Sequence, residues 1–183
     1  MSIQVYILGI LAEENSYPYM LKKRLSEPIP IDQFTGLNEN KLYYHFEKLA
    51  ANGHIIPVET IREEHRPDKH VYQITEQGRE ELKIQMYTTF ENAKEISEMY
   101  IGLVNIKHVE IEKVIAIIER KLEKNRLAWE TYLSFKPQVD EHSDHYLGFK
   151  YIGDHSLSRA QHTREWLEDL IFRLKKLKND AEF

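Results

Sequence analysis

Lys41, His45 and Lys48 stand four and three residues apart, which puts them on one side of a helix. Asn40, Tyr43 and Tyr44 lie among them. Ammonium groups neutralise phosphates, while amide, hydroxyl and imidazole groups can hydrogen-bond base edges. Tyr43 borders the apolar side of that helix, so its ring suits the core and its hydroxyl suits a phosphate. A second cluster, Arg62, His65, Arg66, Lys69 and His70, crowds a polar turn that also holds Glu63, Glu64 and Asp68. Both clusters suit contact with a polyanion. The bland alternatives are a solvated helix face and an ordinary charged hairpin.

Other chemistry finds less support. His142, His145, His155 and His162 invite a metal, but they lack the compact His and carboxylate spacing of catalytic sites. Trp129, Tyr132, Trp166 and Phe172 could line an effector pocket or form dimer core. No GxSxG, P-loop, GxGxxG or HExxH pattern occurs. The chain has no cysteine, which excludes disulfides, thiolate metal sites and a cysteine nucleophile. The expectation is therefore no catalytic residue, no metal and no cofactor.

The elements that would hold the two clusters can be read on either side of them. Leu42, Phe46 and Leu49 recur at spacings of four and three, the buried face of a third helix that Asn38 can cap and Gly53 can end. Ile56, Val58 and Ile61 are short-strand material, and so are Val71, Tyr72 and Ile74. Thr75 can cap a fourth helix from about residue 76 to 90, with Gly78 a mild weakness in its first turn. A helix followed by a charged hairpin is the pattern of a winged helix-turn-helix, in which the helix reads the major groove and the hairpin touches the backbone nearby.

In these residues the chain resembles the PadR-like transcriptional regulators. The resemblance rests on Ile7-Leu8-Gly9-Ile10-Leu11, Leu42-Tyr43, Leu49 and Gly53-His54-Ile55. Its most specific piece is Tyr72-Gln73-Ile74-Thr75-Glu76-Gln77-Gly78-Arg79 with Leu82. It covers about residues 3–82. The rest is similar to the longer members in length and helical character. Two departures stand out: Pro18-Tyr19 replaces the usual Gly-Tyr at the second helix, and Tyr44 stands where many members have proline. The resemblance implies a dimeric DNA-binding regulator, with repression relieved by a small, commonly aromatic effector.

Composition bounds what remains. The chain has 183 residues, 42% hydrophobic and 30% charged, with a formal net charge of −5. Residues 1–80 hold nine Lys/Arg against twelve Asp/Glu, where a DNA-binding domain often carries a basic footprint. No signal peptide and no apolar run of membrane-spanning length is visible, so a cytoplasmic protein without membrane contact is expected. The first helix is expected at about 2–14, with Ile3, Ile7, Ile10 and Leu11 inside. A second should open at Pro18, which suits a first helical position, and run to about Ser26. A short helix is expected at 94–104, with Ile96, Met99, Tyr100 and Leu103 inside. Long ones follow at 109–135 and 144–178, both with four-three apolar spacing. The last stripe passes through the small residues Gly153, Ser156, Ala160 and Thr163. Trp166, Ile171 and the flank of Ile117 are expected to stay open on a single chain, which argues for a homodimer.

The fold expected is mainly α with a small β-hairpin. Residues 1–90 would be a winged helix-turn-helix and residues 91–183 a helical dimerisation domain. The function expected is sequence-specific regulation from a palindromic site on double-stranded DNA. The alternative is a winged helix used to bind protein.

Overall fold

Helix α1 (Ile3–Glu13) is buried on nearly every side. The expected stripe was too narrow: Ile10 is half-buried, while Val5, Tyr6, Leu8 and Gly9 join Ile3, Ile7 and Leu11 in the core. A helix apolar all round belongs in the middle of a fold, not on its surface. The computed structural model describes residues 3–26, 39–62, 68–134 and 145–181, and within them α1 is the axis of the N-terminal part.

Helix α2 (Pro18–Ser26) starts at its proline, as expected. It buries Leu21 and Leu25 and leaves Tyr19 exposed. The buried Tyr6 hydroxyl donates to the Leu21 carbonyl at 2.8 Å and so ties α1 to α2. Helix α3 (Glu39–Ala51) buries Leu42, Phe46 and Leu49, and packs on α1 and α2. Asn38, its expected cap, lies outside the described residues.

Strands β1 (Ile55–Ile61) and β2 (Lys69–Ile74) form an antiparallel hairpin, paired from Ile55 with Ile74 to Ile61 with Lys69. A bulge interrupts the register between Pro57 and Glu59. On the far side of β2, Ser16 and Tyr72 form a single bridge, so the connection between α1 and α2 edges the hairpin. Helix α4 (Glu76–Asn92) closes the unit, with Leu82, Met86 and Phe90 inside, and packs along α1. This is a winged helix: α2 and α3, the hairpin as wing, then α4 behind them.

The helix expected at 94–104 is instead a 3₁₀ turn (Ile96–Met99) running into a short α5 (Tyr100–Val104). Met99 and Ile101 are its buried large side chains, whereas Ile96, Tyr100 and Leu103 are half-buried. A change of helical pitch rotates the buried face, which a constant 3.6-residue period cannot register.

The chain divides into two compact units, Met1–Glu110 and Ile111–Phe183, whereas the sequence suggested a boundary at 90/91. The second unit holds α6 (Ile111–Ser134) and α7 (Tyr146–Ala181). The two helices pack on each other, and their buried side chains are Val114, Ile115, Ile117 and Ile118 on α6 and Leu167, Leu170, Ile171 and Leu174 on α7. Ile117 and Ile171, expected to stay open, are only 5% and 8% exposed. Ile111 and Leu122, expected in the seam, are half-buried. Ion pairs fix the antiparallel register: Lys175 Nζ lies 2.8 Å from Glu119 Oε1, and Lys178 Nζ lies 3.0 Å from Glu112 Oε1. Counting back at equal rise sets the end of α6 against roughly the Ser156–Ala160 turn of α7. The preceding turns of α7 run on past it, and there Leu147, Phe149, Tyr151 and Ile152 are exposed.

Candidate nucleic-acid interface

The third helix is held at its C-terminal end. Gly53 has φ of 72°, the left-handed conformation that other residues adopt at a cost. Its N–H donates to Ala50 O at 3.0 Å, and the His54 N–H donates to Leu49 O at 2.9 Å. This pair of bonds is the Schellman stop, which satisfies carbonyls that the helix end leaves open. The chain then turns directly into β1.

Thr75 binds this stop to the rest of the wing. Its hydroxyl donates to Gly53 O at 2.7 Å and lies 3.1 Å from His54 O. Its oxygen accepts from the Gly78 N–H at 3.0 Å, the expected cap of α4. Its own N–H donates to His54 O at 3.0 Å. One side chain therefore joins the end of α3, the hairpin return and the start of α4. Gly78 has a matching reason: a Cβ there would sit 2.0 Å from the His54 carbonyl oxygen. The weakness expected at Gly78 is the condition for this close approach.

With Leu42, Phe46 and Leu49 inward, the opposite side of α3 presents Lys41, Tyr43, Tyr44 and Lys48 to solvent. Tyr44 is the most open of these rings, at 59%. Nothing is described of the Asn40 side chain. His45 differs from its neighbours. It is half-buried, its ring meets Tyr44 edge-on at 5.2 Å, and its Nδ1 is buried without a hydrogen-bond partner. Burial, then Lys48 and Lys41, lowers its pKa, so the ring is neutral at pH 7. It also borders an open groove of about 640 Å³ with Ile3, Gln4, Ile84 and Thr88. His45 thus faces the edge of the helix rather than the middle of its outer face.

In the wing, Arg62 is exposed, with Nε 3.7 Å from Asp68 Oδ2. Lys69 lies over the Tyr17 ring, 5.8 Å from its centre. Thr60 Oγ1 and His70 Nδ1 are 3.2 Å apart across the two strands. His65 and Arg66 lie outside the described residues. Tyr19 stands exposed in the first turn of α2.

In the second unit, Trp129 lines a cavity of about 400 Å³ with Asn125, Arg126, Glu130, Leu157, Ala160, Gln161 and Arg164. Trp166, expected beside it, is not in that lining, and the Tyr132 side chain is not described. Among the described residues, no group of three or more His, Asp or Glu could hold a metal ion. His155 stacks on Tyr151, and His145 meets Phe149 edge-on. No helix among them is long and apolar enough to cross a membrane.

Comparison with known proteins points the same way as the wing. Residues 7–84 match the transcriptional regulator PadR-like family. The chain is similar to the crystal structure of Bacillus subtilis PadR in complex with operator DNA, at 18% identity and a TM-score of 0.41, over 94% of this chain and 98% of that one. It is also similar to smu.1604c from Streptococcus mutans UA159, at 21% identity and a TM-score of 0.39, over 93% and 99%. Bacillus subtilis PadR in complex with p-coumaric acid gives 18% identity and a TM-score of 0.38, over 94% and 98%. No curated protein matches the chain. The family match runs from within α1 through α2, α3 and the hairpin into the first half of α4, which is less than half of the chain.

Proposed function

We propose that this chain is a sequence-specific DNA-binding regulator, acting as a homodimer on a palindromic operator. The observation that carries the reading is the outer face of α3, where Lys41, Tyr43, Tyr44 and Lys48 stand open beside the wing. The proposed contacts are Asn40, Tyr44 and His45 on base edges, and Lys41, Tyr43, Lys48, Arg62, His65, Arg66 and Lys69 on phosphates. Recognition helices spaced by a twofold axis select repeats about one DNA turn apart. The dimer is proposed to form through the second unit, because α7 carries exposed Leu147, Phe149, Tyr151 and Ile152 beyond the reach of α6. Repression relieved by a small aromatic effector completes the proposal, with the cavity beside Trp129 as the first place to seek it.

Footprinting on DNA flanking the chain's own gene is the direct test. Protection of two inverted half-sites is expected, with affinity falling steeply as salt rises. Protection of a single half-site removes the dimer, and no protection at low salt removes DNA.

The second reading is a winged helix that binds protein. It is favoured by the acidic balance of residues 1–80 and by the approach of Asp68 to Arg62. Equal, weak binding to random and flanking duplexes would support it.

A further inference from the structure

The connection between α1 and α2 reaches the borders of the recognition helix and also the point where the chain leaves the first unit. The Ala12 carbonyl accepts from Arg79 of α4 at 3.3 Å. Glu13 Oε2 lies 2.6 Å from Lys107 Nζ, and its Oε1 lies 3.0 Å from His108 Nε2. Glu14 pairs with Arg24 of α2. Ser16 donates to Tyr72 O at 3.1 Å and accepts from the Tyr72 N–H at 2.8 Å. Four of these five consecutive residues therefore reach α4, the exit turn, α2 and the wing.

The exit turn is fastened elsewhere as well. Asn105 is buried, and its amide donates to Ile101 O at 2.8 Å. The Glu110 N–H donates to the Tyr87 hydroxyl at 3.0 Å. The next residue, Ile111, begins α6. Lys107 is the stronger of the two partners of Glu13. The His108 Nε2 is close to the carboxylate but makes no hydrogen bond to it. The bond from Lys107 holds the Glu13 carboxyl below its usual range, with help from His108 and Arg79, so it stays ionised near neutrality.

We propose that residues 12–16 are a coupling node, through which a displacement of the exit turn is passed to α2 and β2, two of the elements that border the recognition helix. Coupling of this kind needs a contiguous physical path with an element that both ends bias. Here the path from Glu13 to Ser16 is three residues of backbone, anchored by the Glu14 N–H on Ile10 O at 3.1 Å. So short a path has little slack. Glu13 then acts as a positioning residue and makes no DNA contact. The inference goes beyond DNA binding and holds whatever ligand or partner moves the second unit.

Hydrogen exchange on the whole chain tests it, comparing the native protein with Glu13→Gln. Protection at Ser16, Tyr72, His108 and Glu110 should fall together, by about threefold, the scale of an exposed ion pair. Phe46 and Leu49, in the core of α3, should not change. The exchanged pair Glu13→Lys with Lys107→Glu should restore protection at all four positions. A loss confined to His108 and Glu110 would show that nothing passes to the wing. A uniform loss that includes α3 would make Glu13 a stability pair and overturn the node, and so would no change anywhere.

Discussion

The two units solve burial in different ways. The first surrounds α1, whose side chains are buried on nearly all sides by α3, α4, α5 and the hairpin. Among the described residues the second has two helices and one seam, and a pair of helices can cover only the facing sides. Its seam is full where both helices are present, from Leu167 to Leu174. Toward the start of α7 the apolar side chains are open, and Phe149 on the same stripe is 55% exposed. The first unit buries its central helix nearly all round, whereas the second leaves Leu147, Phe149, Tyr151 and Ile152 exposed.

The sharpest way to break this contrast is a pair of matched truncations. Phe46→Ala in α3 should cost about 3–5 kcal/mol, the range for emptying a buried aromatic site. Phe149→Ala should cost a single chain under about 0.5 kcal/mol, as surface changes do, while weakening self-association. Urea unfolding and sedimentation read the two effects separately. Equal destabilisation by both would mean that Phe149 is core.

Next in size is Gly78→Ala. Its methyl would meet the His54 carbonyl oxygen, which is backbone and cannot swing aside. We expect a loss of about 1–3 kcal/mol, as for overpacking, read as a lower unfolding midpoint. A neutral outcome would show that the α3–α4 junction relaxes freely, and that the first unit is looser than its burial implies.

Smaller effects belong to the outer face of α3. Lys48→Ala should weaken binding to all duplexes and reduce the salt slope by about one. Tyr44→Ala should instead weaken the operator more than random DNA, because it is assigned to base edges. Equal losses on both duplexes would remove Tyr44 from that role.

The smallest expected effect is with pH. His45 and His108 both have pKa values lowered from 6.5, in each case first by burial. A lowered histidine pKa means that the unfolded chain takes up protons first. Stability is therefore complete above about pH 6.5 and declines as pH falls from there toward the lowered folded values. Glu13 and Glu98 have lowered pKa values too, so their contribution is lost in a second step below about pH 4.5. His108→Gln should flatten the first step, as followed by thermal melting at a series of pH values.

Element ends were the most legible part of the sequence, because single residues decide them. Pro18 opens α2, Gly53 stops α3 and Thr75 caps α4, each by local backbone chemistry. Faces were less legible. The four-three rule assigned α1 one stripe, but contacts from several later elements bury it all round. Ile117 and Ile171 read as open flanks yet are buried, because burial is set by residues distant in sequence. The value of Gly78 was hidden for the same reason, since the oxygen it approaches lies on His54. In the candidate interface, spacing placed Lys41, His45 and Lys48 together. Only packing shows that His45 turns to the helix edge while the lysines stay open.

The bulge at Pro57 bears on how the protein behaves when crowded. β1 is the outer strand of the wing, since β2 has Ser16 on its other side. An outer strand with exposed Ile56 and Val58 is a template on which a stray strand could add. Proline has no N–H to offer such a strand, and the irregular register from Pro57 to Glu59 breaks the row of unpaired groups. The wing can therefore keep an exposed outer strand with less risk of seeding aggregation.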